Sequence, residues 1–353
     1  MDKREYVQKA FDEHLDKTHA YRQLTKVTID RKMIDLRSKL ELWIKKHSKS
    51  LTIHEKNFIE HGYNTATSIS TFYQTIKIHK DPWSTRPIIS CPGTLLYNLG
   101  KWVDATLQPI ADTQPAYFKD SLALKNLLSE IDLPPYARLF SADAVSMYTN
   151  IKTTEALWEI GQYLHRNDRK FRGVPIDALM SALTLIMRNN MFQFGDTYWL
   201  QISGTAMGTP PAPPYANLYF AIHEARFVKK YSDNLLLYKR FIDDVIGIWI
   251  PSATKEEDAT AWSNFSTDLN SYHGLQWTMT TRAKSLNFMD LTITLNGTNI
   301  DTTLYEKKLN IHQYITPGSA HPPGVLTGLI FGNSHRIYSL CSQHKERIRL
   351  PWL

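Results

Sequence analysis

The chain has 353 residues, of which 42% are hydrophobic and 21% are charged. This composition excludes a mostly disordered chain, and the length favours two or three subdomains over a single core. The net charge of +7 favours a polyanionic partner, with nucleic acid ahead of membrane because no basic amphipathic helix stands out.

The cysteines and the apolar runs indicate the cellular setting. Two cysteines are too few for a disulfide framework, and they have no paired spacing for zinc. No apolar run reaches membrane-spanning length, and the N-terminus lacks the apolar core of a signal peptide. We therefore expect a soluble intracellular protein with no membrane partner.

The first 60 residues mix basic and acidic side chains around apolar residues at helical spacings, which predicts a basic helical N-terminal extension. Residues 1–50 contain thirteen Lys and Arg against eight Asp and Glu. Two interpretations stay open. A solvated helical surface is the commoner one, and an arm that contacts nucleic acid is the other.

Residues 72–90 contain two β-prone runs around a polar turn with a proline, which predicts a hairpin. Lys77, Lys80 and Arg86 can converge there on phosphate oxygens, Arg in bidentate fashion and Lys as a point charge. Taken alone, the segment is better explained as an exposed hairpin with ordinary surface charges.

The middle of the chain is predicted to alternate between helices and short strands. A helical pattern runs from residue 95 to about 128 and is followed by a strand that carries Asp143. A helix at 176–190 and a hairpin at 191–201 then lead into a loop rich in Gly and Pro. Such a loop before a helix suits a ligand with phosphates or a flat base, although many loops of this kind are only turns.

The most informative stretch is residues 238–250, two short apolar runs joined by adjacent aspartates. It predicts a β-hairpin whose turn carries Asp243 and Asp244. Two carboxylates at a bend repel each other strongly unless a cation lies between them, so the stretch predicts a divalent metal site. Asp143 completes a two-metal site if its strand lies beside this hairpin.

The last hundred residues are predicted to begin with an exposed helix at 252–270. Residues 286–295 alternate between apolar and polar, which predicts one strand, and a turn then leads into a second strand at 299–305. Basic residues beyond it stand among apolar and aromatic ones, a mixture that suits contact with a duplex backbone.

Five segments, taken in order, resemble the successive sequence boxes of reverse transcriptases, and the Penelope-like group most closely. The segments are Lys77 to Arg86, Asp143 to Tyr148, Gln201 to Asn217, Phe241 to Asp244 and Asn287 to Leu291. The features shared with that group are a Lys-Ile-His-Lys run at 77–80, a Tyr-Thr-Asn-Ile run at 148–151 and a Met-Gly step at 207–208. Any single aspartate is more often structural than catalytic, so the ordered set is what favours a polymerase.

The resemblance implies an α+β right-hand polymerase fold of fingers, palm with an antiparallel sheet, and thumb, after a helical N-terminal extension. The implied subdomains are the extension at 1–60, the fingers at 61–137, the palm at 138–297 with part of the fingers interleaved, and a thumb-like region at 298–353. Relatives often carry a C-terminal GIY-YIG nuclease, so we expect either a relative without that nuclease or a fragment.

The resemblance also implies a metal site. Asp143, Asp243 and Asp244 would be the palm carboxylates that hold two Mg²⁺ ions, for which Mn²⁺ can substitute, and the backbone carbonyl of Ala144 would be a further ligand. Asp143 and Asp243 are the expected direct ligands, since the second acid of such pairs often lies slightly off the metals.

Further roles follow from the same resemblance. Lys77 and Arg86 would hold the triphosphate, and Tyr148 would exclude a ribose 2′-hydroxyl, so dNTP substrates are expected. Met207 and Gly208 would lie beneath the incoming nucleotide or the template base. The residues implied to contact the primer are Phe288, Met289, Asp290 and Leu291, and those implied to contact nucleic acid are Lys80, Lys307, Lys308 and Arg336.

The implied function is an RNA-directed DNA polymerase of a retroelement, with an RNA template, a DNA or RNA primer and dNTPs as partners, and nuclear if the host is eukaryotic. Phe241 departs from the tyrosine commonest at its position, and Ile76 from a proline, but neither change touches the catalytic acids. Two alternatives stay open. One is a catalytically inactive, domesticated RNA- or DNA-binding protein derived from a polymerase, and the other is an RNA-dependent RNA polymerase.

Overall fold

The structure is a computed structural model that describes residues 2–78, 80–305 and 318–349. In chain order the helices are α1 (Lys3–Ala10), α2 (Lys26–His47), α3 (Ile53–Thr65), α4 (Tyr97–Asp112), α5 (Ser121–Ser129), α6 (Met147–Asn150), α7 (Thr153–Arg166), α8 (Ile176–Met187), α9 (Ala212–Phe227), α10 (Lys255–Leu269), α11 (Val325–Leu340) and α12 (His344–Arg349). The strands are β1 (Tyr21–Leu24), β2 (Ser70–Lys77), β3 (Ser84–Ser90), β4 (Arg138–Ala144), β5 (Met191–Phe194), β6 (Thr197–Gln201), β7 (Leu235–Phe241), β8 (Asp244–Trp249), β9 (Trp277–Met279), β10 (Ser285–Phe288), β11 (Leu291–Asn296) and β12 (Asn299–Leu304).

The chain folds into two compact units, each assembled from three separate segments. Unit 1 comprises Met1–Pro115, Ala144–Arg226 and Asn270–Gln276, and unit 2 comprises Ala116–Asp143, Phe227–Leu269 and Trp277–Leu353. The subdomain borders implied by the resemblance, with part of the fingers interleaved in the palm, stay a prediction.

Unit 1 is built on a five-stranded sheet in the order β1-β6-β5-β2-β3. Its pairs are antiparallel except β2 with β5, which run parallel. Phe72, Ile89, Phe192 and Trp199 project from these strands into one buried cluster, because alternate residues of a strand share a face. The hairpins predicted at 72–90 and 191–201 are confirmed as β2–β3 and β5–β6.

The N-terminal extension is mostly helical, as predicted, and its helices begin at polar caps. The Asp2 side chain accepts a hydrogen bond from the Glu5 amide, and Thr52 with Glu55 forms a capping box ahead of α3. The all-helical prediction is wrong at β1, which pairs with β6 and buries Tyr21. A four-residue edge strand is too short to show a clear alternation, and pairing with a distant strand determines its conformation.

Unit 2 contains a four-stranded sheet in the order β7-β8-β4-β9 and a three-stranded sheet in the order β10-β11-β12. Leu139 and Ile246 of the first sheet pack in one buried cluster with Leu291 and Ile293 of the second. Leu124 of α5 lies in the same cluster. The hairpin predicted around the aspartates is confirmed as β7–β8.

The single strand predicted over residues 286–295 is wrong, because the chain turns at Met289-Asp290. Phe288 and Leu291 are cross-strand partners, and Met289 has a φ of 51°. Within one strand, residues on the same face are two positions apart. Here the two turn residues intervene, so Phe288 and Leu291 are three positions apart and still face the same side. Both Phe288 and Leu291 are buried.

The helices of the described residues are each too short or too polar to serve as a membrane span.

Candidate active site

The turn between β7 and β8 consists of Ile242 and Asp243, with Phe241 opposite Asp244. Ile242 has a φ of 53°, at a turn position where a two-residue hairpin usually places glycine. Positive φ is unfavourable for a β-branched residue, at a cost of about 1–3 kcal/mol. The surrounding structure must therefore stabilise this turn.

The strand β4 lies antiparallel to β8 and brings the third aspartate to the same end of the sheet. Asp143 is the direct partner of Asp244, and Ala142 is the partner of Val245. Directly opposite residues share a face of the sheet, and like charges there destabilise the pair unless a cation intervenes. The condition set in the sequence analysis, that the strand of Asp143 lies beside the aspartate hairpin, is met.

The described residues contain no group of three or more His, Cys, Asp or Glu side chains placed to hold a metal ion. Mg²⁺ in polymerase sites is usually bound by one or two carboxylates together with waters and substrate phosphates, and not by an all-protein cage. Metal binding by Asp143, Asp243 and Asp244 therefore stays a prediction, as does the role of the Ala144 carbonyl.

A buried arginine holds the aspartate turn, and the sequence reasoning missed it. Arg240 is 3% exposed, and its guanidinium donates a hydrogen bond of 2.8 Å to the carbonyl oxygen of Ile242. Its backbone amide donates to the Ala116 carbonyl, also at 2.8 Å. One feature of the sequence could have revealed this role. Arg240 is a charged residue two positions after Tyr238, so it shares the inward face of an apolar strand just before the turn.

In unit 1, the hairpin β2–β3 presents its two basic residues on one face. Lys77 pairs with Ser84, so Arg86 lies two residues along the partner strand, in the diagonal position on that face. Arg86 is exposed and Lys77 is half-buried. The structure thus places side by side the two residues predicted to hold triphosphate. Lys80 is exposed in the loop between the strands.

The Gly-rich loop that precedes α9 connects β3 to the segment that carries Tyr148. Ile89 donates its amide to the Met207 carbonyl at 2.8 Å, and Thr205 donates to the Tyr148 carbonyl at 2.6 Å. Gly208 has a φ of 112°, and a Cβ there would lie 2.3 Å from the Ile89 carbonyl oxygen. Unit 1 therefore links, through its backbone, most of the residues predicted to contact the nucleotide.

The residues predicted to contact primer fall into two classes. Phe288 and Leu291 are buried in the core of unit 2, whereas Met289 and Asp290 form the turn between β10 and β11. Asp290 pairs with Arg336 of α11 at 2.7 Å and accepts a hydrogen bond of 3.3 Å from Ser121. Arg336 is thus partnered by a carboxylate in this structure.

Lys307 and Lys308, the other two basic residues predicted to bind nucleic acid, lie outside the described residues. His79 of the Lys-Ile-His-Lys run does so too.

Comparison with known proteins identifies the fold. No protein-family model matches the chain, and none of the curated proteins is significantly similar to it. Among solved structures, telomerase from Candida albicans in complex with a fragment of telomeric RNA is 12% identical with a TM-score of 0.52, and the match covers 84% of this chain and 52% of that one. A telomerase from Candida tropicalis in complex with such a fragment is 10% identical with a TM-score of 0.50, over 80% of this chain and 51% of that one.

A BmCPV RNA-dependent RNA polymerase at elongation state is equally similar. It is 12% identical with a TM-score of 0.52, and the match covers 89% of this chain and 28% of that one. The chain thus spans about half the length of the telomerase chains and less of the viral one. The chain has the right-hand polymerase fold, as its sequence predicts.

Proposed function

We propose that the chain is a template-directed nucleotidyltransferase, and more narrowly an RNA-directed DNA polymerase of a Penelope-like retroelement. The observation that carries the proposal is the pairing of Asp143 with Asp244 next to Asp243 in the turn, on a right-hand polymerase fold. The narrower assignment is supported by the five ordered sequence boxes.

The three carboxylates supply the oxygen donors that Mg²⁺ prefers, so the residues fit this metal. Asp143, Asp243, the Ala144 carbonyl and, less directly, Asp244 would hold two ions. When bound, the metal would activate the primer 3′-hydroxyl and stabilise the leaving pyrophosphate, and Mn²⁺ can substitute.

The side chains of unit 1 bind and select the nucleotide in this proposal. Lys77 and Arg86 neutralise the triphosphate, and Arg86 is suited to a bidentate contact. Tyr148 excludes a ribose 2′-hydroxyl and so selects dNTPs, while Met207 and Gly208 support the base.

The nucleic-acid partners are an RNA template and a DNA or RNA primer. The telomeric RNA bound to the similar telomerase structures supports an RNA partner. The primer contacts proposed are Phe288, Met289, Asp290 and Leu291, with the turn residues the more accessible, and the backbone contacts are Lys80, Lys307, Lys308 and Arg336.

Primer extension on an RNA template with Mg²⁺ and dNTPs tests the proposal. Asp243→Ala should abolish the product, because it removes a metal ligand, while the variant should still bind an RNA:DNA hybrid. Incorporation that is unchanged in Asp243→Ala would contradict the assignment. Salt-dependent binding of the hybrid without incorporation under any divalent metal would instead indicate an inactive nucleic-acid-binding protein.

An RNA-dependent RNA polymerase is the second candidate, because the viral polymerase is as similar in fold as the telomerase. Comparison of rNTP with dNTP incorporation separates the two. In an RNA-directed DNA polymerase the natural protein prefers dNTPs, and Tyr148→Ala gains rNTP incorporation. A natural preference for rNTPs would overturn the assignment of Tyr148.

A further inference from the structure

The first fourteen described residues form a brace along the hairpin β2–β3 within unit 1. The brace is defined here as residues 2–15, in which α1 continues as a π-helical turn, Phe11–Leu15. Phe11 packs edge-on against Phe194 and Trp199 of the neighbouring strands. The buried core of this sheet includes Ala10 and Leu15, so the brace is an integral part of unit 1.

The brace also forms hydrogen bonds to both strands of the hairpin. The backbone amide of Gln74 donates to the Tyr6 hydroxyl at 2.7 Å, and the Gln74 side chain donates to the Tyr6 carbonyl at 2.5 Å. Lys9 donates to the Trp83 carbonyl at 2.8 Å. These contacts hold β2 and the residue immediately before β3 to the same helix.

The strongest of these contacts involves Glu13. One carboxylate oxygen of Glu13 accepts hydrogen bonds from both the amide and the hydroxyl of Thr85, each at 2.7 Å. Its other oxygen lies 3.1 Å from the Lys9 ammonium. Although burial alone would raise the pKa of Glu13, the hydrogen bonds from Thr85 and Lys9 hold it below the ordinary value. The carboxylate is therefore ionised at neutral pH, and its hydrogen bonds are charge-assisted.

His14 completes the arrangement around Thr85. Its Nε2 lies 2.8 Å from the Thr85 hydroxyl oxygen. A carboxylate cannot donate, so the single hydroxyl proton of Thr85 goes to Glu13, and Thr85 must accept from an Nε2–H of His14. Burial lowers the pKa of His14 to about 4, with positive Lys17 adding to the effect, so the ring is neutral at pH 7.

The brace contacts the face of the hairpin opposite to Lys77 and Arg86. Gln74 and Thr85 are each 5% exposed. Because side chains alternate across a strand, Thr85 faces the brace while its neighbour Arg86 faces away from it. Fixing Thr85 therefore fixes the backbone from which Arg86 projects.

We propose that the brace, with Glu13 as its key positioning residue, holds the β2–β3 hairpin in the conformation that binds nucleoside triphosphate. This inference rests on the proposed function, because it takes Lys77 and Arg86 as the triphosphate-binding pair. It also gives the N-terminal segment a role different from the nucleic-acid-contacting arm that its charge permits.

Steady-state primer extension with Glu13→Ala tests the brace. The KM for the nucleoside triphosphate should rise by about tenfold, since charge-assisted hydrogen bonds are lost, while kcat changes by less than about twofold. Glu13→Gln keeps an amide oxygen that can accept from Thr85 and should restore part of the loss. The matched control is Asp12→Ala, which removes an exposed acid from the adjacent position and should leave KM unchanged.

Hydrogen exchange gives a second measurement that does not require activity. The amides of Gln74 and Thr85 should exchange faster in Glu13→Ala than in Asp12→Ala. An unchanged KM in an active Glu13→Ala enzyme overturns the inference. A change confined to the Kd for primer–template also overturns it, because it would indicate that the N-terminal segment contacts nucleic acid directly. If the natural protein incorporates no nucleotide, the proposed function fails. In that case hydrogen exchange still tests the brace, and equal exchange rates at Gln74 and Thr85 in Glu13→Ala and Asp12→Ala would overturn it.

Discussion

Arg240 shows how one side chain can determine the geometry of the aspartate turn. A guanidinium is costly to bury unless it is hydrogen-bonded, and Arg240 is nearly inaccessible. It donates to the carbonyl of Ile242, the residue whose positive φ makes the turn unfavourable. A hydrogen bond from a charged group contributes about 1.5–3 kcal/mol, which is comparable to the strain at Ile242.

We expect Arg240→Gln to weaken metal binding without removing any carboxylate. The turn that carries Asp243 loses its guanidinium contact, and groups that orient metal ligands typically contribute about tenfold to hundredfold in metal affinity. The Mg²⁺ concentration for half-maximal primer extension should rise accordingly, and direct titration with Mn²⁺ followed by electron paramagnetic resonance should show the same loss.

Arg138→Gln is the matched control for Arg240→Gln. It removes an arginine from the far end of β4, five residues along the strand from Asp143, where the guanidinium contacts only the local carbonyls of Tyr136 and Ala137 among the described contacts. Its metal affinity should remain that of the natural protein. Equal metal affinities in the natural protein and in a folded Arg240→Gln variant would show that the guanidinium does not position the turn.

At the scale of elements, the Gly-rich loop depends on a close approach between two backbones. A Cβ at Gly208 would lie against the carbonyl of Ile89, and this carbonyl belongs to a paired strand that has little freedom to move. The Ile89 amide also donates a hydrogen bond to the Met207 carbonyl, and this bond requires the two backbones to stay close together. Both contacts favour glycine at position 208.

Gly208→Ala should lower the free energy of unfolding by about 2 kcal/mol more than Gly195→Ala does. Both glycines have positive φ, but a Cβ at Gly195 meets no atom within 4 Å, so the control pays only the backbone penalty, about 1–2 kcal/mol. The difference measures the overpacking against β3, about 1–3 kcal/mol, together with the φ of 112° at Gly208, which is less accessible to an L-residue than the φ of 56° at Gly195. Urea denaturation of the two variants gives the comparison, and equal losses would contradict the close approach.

Several elements were predictable because their signals are local. The hairpin around Asp243 follows from two apolar runs and a polar bend, and the strand of Asp143 from its β-prone neighbours. The turn at Met289-Asp290 was not predicted, because its sequence continues a plausible alternation and only the three-residue spacing between Phe288 and Leu291 marks it. The attachment of Glu13 to Thr85 joins residues 72 positions apart, and no local pattern encodes such a contact.

At the scale of the whole molecule, each unit is assembled from segments that are far apart in the sequence. Unit 2 takes segments that begin at Ala116, Phe227 and Trp277. The ranges expected for fingers, palm and thumb follow the order of the sequence boxes, because the resemblance compares segments along the chain. The compact units follow from long-range packing, which a single sequence does not reveal.

A cut in the loop before α10 should therefore leave the two resulting fragments of the chain associated. A protease site inserted between the exposed residues Ala253 and Thr254 separates β4, β7 and β8 from α10 and strands β9–β12. Trp249 lies 5.0 Å from Trp262 and Phe140 lies 5.4 Å from Phe265, measured between ring centroids, across that cut. Phe140, Trp249 and Phe265 are buried, and buried aromatic side chains dominate the energy of a core.

After cleavage, the fragments should co-elute from a size-exclusion column in native buffer and separate in urea. Because the cut makes folding bimolecular, the melting temperature of the cleaved protein should rise with protein concentration, whereas that of the uncut insertion variant should not. Fragments that elute separately in native buffer would show that neither the packing of α10 against β4 and β8 nor the contacts of Asn270–Gln276 within unit 1 hold the two fragments together.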